Sequence, residues 1–198
     1  MATAALFFVA LAFGQQLSRQ PNPRDYPAHD AHEGVAMAAD PYLERARAER
    51  VFGSYAPHKA GVLAVEMIVK NETGQGMTVN WAAAQLLARS AGWQLRALTM
   101  EELTRRLVGE TKTRETVPSR WPPLPRSKKA AQYEKARAAL APHFFEAGTI
   151  PPGATARGFL FFDIGGDFQA VSRARIYIPE VKNLSTGQPL MFFEMEFR

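Results

Sequence analysis

The stretch from Pro151 to Ile164 constrains the fold of this chain more than any other part of its sequence. A Pro-Pro-Gly turn at residues 151–153 leads directly into the most apolar run beyond the N-terminus. An apolar run bounded by turn residues and rich in aromatic side chains is typical of a deeply buried strand. Because alternate residues of a strand point to opposite faces, Leu160, Phe162 and Ile164 are expected to face a core between two sheets.

Further segments have the composition of strands and turns. Gly61–Lys70 alternates most clearly, with Leu63, Val65, Met67 and Val69 on one face and Glu66 and Lys70 on the other. Additional strands are predicted at residues 77–81, 92–98, 143–146, 173–178 and 190–198. The hairpin context favours a strand at residues 82–89 as well, and a helix, favoured by three alanines, is the alternative. The segments between most of these strands are short turns, and short turns favour antiparallel pairing of the strands that they join. The sequence therefore predicts a mainly β fold, an immunoglobulin-like antiparallel β-sandwich.

Helical patterns occur in two places. Asp40-Pro41 has the composition of a helix start, with Asp as N-cap, and predicts a short helix that ends at Gly53. Thr99-Met100-Glu101-Glu102 is a capping box that predicts a second helix, and Ser127 is expected to cap a third that runs to Leu140. We expect residues 99–141 to form a two-helix insertion between strands of the sandwich.

The order of these pieces resembles immunoglobulin-like domains of exported bacterial proteins of uncharacterised function. The matching residues are Val69-Lys70-Asn71 at a strand end, Ile150–Gly153 at the turn, and Gly158, Leu160 and Phe162 in the apolar run. They cover about half of the chain and are structural motifs. The resemblance implies a sandwich fold and no catalytic residues, and the helical insertion departs from the plain domain.

The N-terminus predicts export. Ala4–Phe13 is an unbroken apolar run of ten residues, too short for an ordinary membrane-spanning helix, and small residues follow at its end. We predict a signal peptide at residues 1–14, a flexible arm at 15–40, and a single domain at 41–198, in a periplasmic or extracellular protein. A retained anchor is the alternative, since no Lys or Arg precedes the run. The chain has no cysteine, so it forms no disulfide.

The sequence contains no catalytic signature. It has no Gly-x-Ser-x-Gly motif and no phosphate-binding glycine loop, and we predict no cofactor. His29 and His32, beside two carboxylates, are weak candidate metal ligands, and the alternative is a solvated polar arm. His58 and His143 each follow a proline and are expected in turns.

A basic segment is the first candidate binding surface. Residues 110–137 carry eight Lys or Arg against three Asp or Glu, an excess equal to the whole net charge of +5. Within this segment Arg120, Trp121, Arg126, Lys128 and Lys129 could bind an anionic lipid, a polysaccharide or an acidic protein. The alternative is a solvated loop whose Trp121 packs back on the domain. Nucleic acid is not expected, because an exported protein rarely meets it and too few aromatic residues accompany the cations.

An apolar outer face is the second candidate surface. Phe159 and Phe161, together with Leu190 and Phe192, are expected on the faces that point away from the sandwich core, where they would form an apolar patch if their strands were neighbours. We expect the helices of the insertion to cover this patch with Met100, Leu103, Leu107, Tyr133 and Leu140. A partner protein or a membrane surface is the alternative cover.

These patterns together predict an exported, non-enzymatic binding or assembly module. Its partner would be an unknown protein or an anionic envelope component, with peripheral membrane contact possible. The alternative is an accessory subunit or a small metal-dependent enzyme of a cell-envelope pathway. A concave pocket with converging His, Asp or Glu side chains would favour the enzyme.

Overall fold

The computed structural model of the protein describes residues 21–109, 128–145 and 148–197. Within these ranges the fold is mainly β, with three antiparallel sheets and three α-helices. The helices are α1 (Arg45–Phe52), α2 (Met100–Val108) and α3 (Lys128–Leu140). The strands in chain order are β1 (His29–His32), β2 (Val35–Pro41), β3 (Val62–Asn71), β4 (Met77–Val79), β5 (Gln85–Ala88), β6 (Trp93–Arg96), β7 (Thr149–Ile150), β8 (Thr155–Asp163), β9 (Arg175–Ile178), β10 (Val181–Asn183) and β11 (Phe193–Glu196).

The first sheet is built around the two longest strands and has the order β1-β2-β3-β8. β3 and β8 pair antiparallel with Leu63 opposite Phe162 and Glu66 opposite Phe159. These are the two strands that the sequence predicts most clearly. Their alternation places Leu63 and Phe162 in the main core, because both lie on the same face of the sheet.

Residues 29–40 correct the prediction of a flexible arm. They form the β1–β2 hairpin, whose turn places Glu33 and Gly34 at positive φ, and β2 pairs with β3 along its whole length. β2 reads Val-Ala-Met-Ala-Ala and is buried on both faces, so it lacks the polar alternation that marks a half-exposed strand. Asp40 and Pro41 end this strand. The helix α1 therefore begins later than predicted, with Glu44 as N-cap, and it ends at Gly53 as expected.

The second sheet has the order β11-β9-β5-β6, and the third, small sheet has the order β10-β4-β7. The main core contains Met37, Val65 and Phe162 from the first sheet and Ile176 and Phe193 from the second, all buried. The two large sheets therefore share one apolar core. Burial of this apolar area is the main favourable term in folding, since the chain has no disulfide.

The predicted strand at residues 143–146 is wrong. Ala141–His143 is a turn of 3-10 helix, and Phe144 forms a single parallel bridge to Phe159. The backbone N–H of Phe145 donates to the carbonyl of Phe159 at 3.2 Å. This segment therefore lies along the outer edge of β8 and satisfies backbone groups that an edge strand would otherwise expose.

The helices cover the outer face of the first sheet. Phe159 and Phe161 are 5% and 0% exposed, and they lie in a second apolar cluster with Leu103 of α2 and Leu140 of α3. Met100 and Leu107 pack at the margin of this cluster, whereas Tyr133 is not part of it, and Phe52 of α1 also belongs to it. The capping box starts α2 as predicted, with Thr99 and Glu102 bonded reciprocally. No helix in the described ranges has the length and apolarity required to span a membrane.

The structure separates Leu190 and Phe192 from Phe159 and Phe161, which corrects the predicted common patch. β11 lies in the second sheet, paired with β9, and is not a neighbour of β8. Residues 190–192 precede the strand, where Phe192 is exposed as the predicted alternation expects and Leu190 is not. Leu190 packs against the main core, and Phe192 is 47% exposed.

Candidate functional site

A buried carboxylate lies on the helix-covered face of the first sheet. Glu66, in the centre of β3, is 2% exposed. The strand register places it opposite Asp40 of β2 on one side and Phe159 of β8 on the other. Directly opposed residues of antiparallel strands project to the same face, so two acids and an aromatic ring lie side by side under the helices.

Both oxygens of Glu66 have hydrogen-bond donors. The hydroxyl of Tyr42 donates to Oε2 at 3.0 Å, and Nε of Arg157 donates to Oε1. The side chain of Arg157 is 56% exposed although its partner is 3% exposed, so the guanidinium reaches from the surface to a buried acid. A buried charge is costly unless it is paired and hydrogen-bonded, and these two donors meet that requirement.

Asp40 has an arginine of its own. Nη1 and Nη2 of Arg47 donate to its two oxygens at 2.9 Å and 2.5 Å, a bidentate ion pair between α1 and the sheet. The guanidinium carbon of Arg47 also lies 3.8 Å from the ring centroid of Tyr42, a cation–π contact. The cluster therefore contains two guanidinium groups and two carboxylates. The pair between Arg47 and Asp40 holds α1 on the first sheet.

The environment keeps the hydrogen-bond donors of this cluster protonated. Burial, with the nearby negative charge of Glu66, raises the pKa of Tyr42, so its hydroxyl remains a donor at neutral pH. The hydrogen bonds to Glu66 and Asp40 raise the pKa values of Arg157 and Arg47, respectively. Tyr42 and both arginines therefore remain hydrogen-bond donors across the physiological pH range.

Aromatic rings form the wall beside these charges. The ring of Phe159 meets Tyr42 and Phe52 edge to face, with centroids 5.0 Å apart in both pairs. The imidazole of His143 completes the wall. Its ring centroid lies 5.1 Å from that of Phe52 and 6.2 Å from that of Phe159. No described residue forms a hydrogen bond with the ring nitrogens of His143, which is only partly buried. These nitrogens are therefore available to a ligand.

Gly158 determines where His143 lies. A Cβ built on Gly158 would be 2.7 Å from Cα and 2.9 Å from Cβ of Phe145, closer than real Cβ atoms come to such neighbours. Only glycine allows Phe145 to approach β8 this closely, with its ring against Trp81 at 4.1 Å between centroids. The approach of Phe145 then positions the preceding turn and the imidazole of His143.

A cleft of about 240 Å³ opens between these groups. Its lining includes the charged and aromatic side chains of Glu66, Arg157, Tyr42, His143 and Phe159, with Val51 of α1 and Pro142 at its margin. We call it the outer-face cleft. It is smaller than the usual pocket for a drug-sized molecule, which is roughly 300–1,000 Å³. It therefore suits a group of about the size of one amino-acid side chain.

Two other clefts in the described ranges offer less chemistry. One of them, about 400 Å³, has Lys59 and Arg106 in its lining. Both cations already have acidic partners, Glu49 at 3.7 Å and Asp163 at 2.6 Å. A third cleft, about 470 Å³, lies beside the small sheet, and its lining includes Thr78, Asn80, Glu180 and Lys182. The outer-face cleft differs from both because it combines an ion pair to a buried acid with an aromatic wall.

The structure describes only two of the five candidate binding residues of the basic segment. Arg120, Trp121 and Arg126 lie outside the described residues. Lys128 and Lys129 occupy the first turn of α3, where both are exposed. The binding surface predicted for this segment therefore stays a prediction.

The candidate metal ligands His29 and His32 do not converge. Three positions apart in β1, they lie on opposite faces of the strand. Nδ1 of His29 lies 2.6 Å from the carbonyl oxygen of Tyr26, and His32 stacks on Phe193 with centroids 4.0 Å apart. Among the described residues no group of three or more His, Asp or Glu is placed to hold a metal ion.

His32 instead belongs to a junction between the hairpin and the C-terminal strand. Its Nε2 lies 3.1 Å from the carbonyl oxygen of Phe192. Asp30 accepts the backbone N–H of Glu194 at 3.0 Å, and Glu33 accepts that of Met191 at 2.8 Å. The polar residues of this hairpin therefore join the edges of the first and second sheets.

Sequence reasoning missed Glu66, Tyr42 and Arg157 as a site. The alternation of β3 correctly placed Glu66 on the face opposite the main core, but it assigned this residue no partner and no role. The same reasoning expected helices over Phe159 and Phe161. Since Glu66 shares their face, the two expectations combined would have predicted a buried acid that needs a cationic partner.

Comparisons with known proteins give one distant structural similarity. No family model matches the chain, and no curated protein matches it either. Among solved structures, the chain is similar to a functionally unknown protein from Listeria monocytogenes EGD-e. The identity is 11%, the TM-score is 0.35, and the alignment covers 75% of this chain and 68% of the other.

Proposed function

We propose that this protein is an exported, non-enzymatic binding module and that the outer-face cleft is its binding site. One observation carries the proposal: each oxygen of the acid in the cleft already has a donor, whereas the η nitrogens of Arg157 and the ring nitrogens of His143 have no hydrogen-bond partner among the described residues. Both oxygens of Glu66 accept hydrogen bonds from Tyr42 and Arg157. A general base must reach the substrate proton and take it up, and Glu66, which is 2% exposed and paired with Arg157, is poorly placed to do so. The cleft is better suited to hold a group than to transform it.

The architecture that we propose for this module is an immunoglobulin-like sandwich. Two four-stranded antiparallel sheets with one apolar core between them support it. The apolar run at Ala4–Phe13 supports export through a signal peptide. The partner would be a protein or an anionic envelope component, and exposed Lys128 and Lys129 support additional contact with an anionic surface.

A photo-cross-linking experiment tests the proposal. A photoreactive amino acid replaces Pro142, at the margin of the cleft, and in a control protein it replaces Gln94, which is exposed on the second sheet. Both proteins are expressed in the native cells and irradiated. We expect a discrete adduct from position 142 that is absent from position 94 and is lost when Arg157→Gln is added.

Two results would contradict the proposal. Identical adducts from positions 142 and 94 would show that the cleft has no preferred partner. A hydrolytic activity of the purified chain that disappears in His143→Ala would instead support the enzyme, because the imidazole of His143 is the group in the cleft that could still transfer a proton.

A further inference from the structure

Building on the proposed function, we infer that the group recognised by the outer-face cleft is a carboxylate attached to a small apolar body. The guanidinium of Arg157 would donate hydrogen bonds to the carboxylate, and the imidazole of His143 would make a second polar contact with it. The ring of Phe159 would contact the apolar body. The three groups line the same cleft.

The guanidinium of Arg157 has unused donors in a fixed orientation. Its Nε donates to the buried carboxylate of Glu66, and no described residue accepts a hydrogen bond from its η nitrogens. The side chain is 56% exposed, so these nitrogens are accessible. Parallel N–H groups of an arginine match the two oxygens of a carboxylate, and an arginine already held by a partner loses less side-chain entropy on binding.

The charge distribution favours an anion over a cation. Each acid of the cluster has its own arginine, Glu66 with Arg157 and Asp40 with Arg47. A cationic ligand would therefore meet carboxylates whose charge is already balanced and would lie beside two guanidinium groups. A carboxylate can instead bind the free side of Arg157, with His143 beside it.

The same arrangement favours a carboxylate over a phosphate. Within the described part of the chain, Arg157 is the one guanidinium lining the cleft, and the carboxylate of Glu66 lies against it. A phosphate dianion carries more charge for a single cation to balance and would be repelled more strongly by Glu66. A carboxylate, with one negative charge and two oxygens, matches the available donors.

The apolar body of the ligand follows from the wall of the cleft. Phe159 with His143 forms an aromatic surface, and Val51 and Pro142 extend it. The volume of about 240 Å³ accommodates one ring or one branched side chain. The carboxylate would thus come from a small aromatic acid or from the C-terminal residue of a polypeptide.

A titration monitored by ¹H–¹⁵N correlation spectra tests this inference, with the chain from residue 15 onward. The probes are N-acetylphenylalanine, its neutral amide, benzoate and phenyl phosphate. We expect the two carboxylates to shift the amide signals of Gly158 and His143, and the neutral amide to bind at least about tenfold more weakly. Tighter binding of N-acetylphenylalanine than of benzoate would point to a chain terminus, and the reverse to a small acid.

Variants test the role of Arg157. Arg157→Gln should weaken carboxylate binding about tenfold or more, and Arg157→Lys should weaken it less, because charge remains but the fork is lost. Arg89→Gln, an exposed arginine outside the cleft, is the matched control and should bind as the native chain does. The comparison between acid and amide uses the native chain alone, so it stands even if an Arg157 variant folds poorly.

Several outcomes would overturn the inference. Equal binding of the acid and its amide would show that the cleft recognises only the apolar body. Tighter binding of phenyl phosphate than of benzoate would reverse the preference argued from the charges. If no carboxylate binds although the cross-link from position 142 persists, the carboxylate assignment fails while the binding module stands. If the cross-link is absent as well, the carboxylate assignment and the proposed binding module both fail.

Discussion

Gly158→Ala is the substitution for which the structure predicts the clearest consequence. The added Cβ would lie 2.7 Å from Cα, 2.9 Å from Cβ and 3.0 Å from Cδ2 of Phe145. The nearest of these atoms belongs to the backbone, so a change of side-chain rotamer cannot relieve the contact. Phe145 is 6% exposed and packs on Trp81, which leaves it little room to move.

The expected change in the free energy of unfolding of Gly158→Ala follows from two opposing effects. Forcing one extra methyl group into a packed core costs about 1–3 kcal/mol. Replacing glycine by alanine returns about 0.4–1 kcal/mol, because the unfolded chain loses conformational freedom. We therefore expect a net loss of about 1–2 kcal/mol in the free energy of unfolding. In a chain of this size that corresponds to a decrease in Tm of roughly 2–8 °C.

Thermal and urea denaturation of the variant check this prediction. Gly74→Ala is the matched control, since a Cβ there meets nothing within 4 Å and the glycine has no left-handed φ. Its Tm should equal that of the native chain or slightly exceed it. If Gly158→Ala proved as stable as Gly74→Ala, Phe145 would not approach β8 as described, and the placement of His143 in the cleft would lose its basis.

Three further outcomes are expected. Leu103→Ala should lower the free energy of unfolding, measured by urea denaturation, by about 2–5 kcal/mol, because it removes a fully buried side chain between α2 and the first sheet. Leu184, which is 55% exposed, provides the control, and Leu184→Ala should change the free energy of unfolding by less than about 0.5 kcal/mol. Similar losses in both variants would refute this prediction. The hydrogen bond from Arg96 lowers the pKa of Glu102 to about 2, so its contribution is complete above pH about 4.5 and decreases as the pH falls towards 2. Since Glu102 is partly exposed, we expect Glu102→Gln to remove about 1 kcal/mol or less of that pH dependence, measured by urea titrations at several pH values; an unchanged profile would contradict the assignment. N-terminal sequencing of the protein from native cells should begin at Gln15, and an intact N-terminus would instead support a retained anchor.

The local pattern of the sequence was sufficient where a segment's own residues decide its structure. Alternation defined β3 and β8 because side chains of a strand alternate strictly between two faces. The capping box defined the start of α2 because the Thr99 and Glu102 side chains satisfy the free N–H groups of the same turn. The expectation that helices of the insertion lie over Phe159 and Phe161 rested on the same alternation.

Other features depended on contacts between distant residues. The run at 35–39 is mostly alanine, and it forms a strand because β1 and β3 lie on its two sides. Asp40 resembles an N-cap, yet its acceptors are used by Arg47 across the interface between sheet and helix. A short polar side chain can cap a helix or pair at a distance, and its own sequence neighbourhood does not distinguish the two.

The sequence by itself determined that the chain builds antiparallel sheets around the run at Pro151–Ile164 and that both faces of that strand are buried. Only the tertiary structure decided that the outer face contains a site. Glu66 and Arg157 are 91 positions apart in the sequence, and His143 lies between them. No local sequence motif connects the three residues. Their proximity arises from the register of β3 on β8 and from the approach of Phe145 to Gly158. Register and close approach are properties of packed elements, because they are set by how neighbouring surfaces fit and not by the residues of one segment.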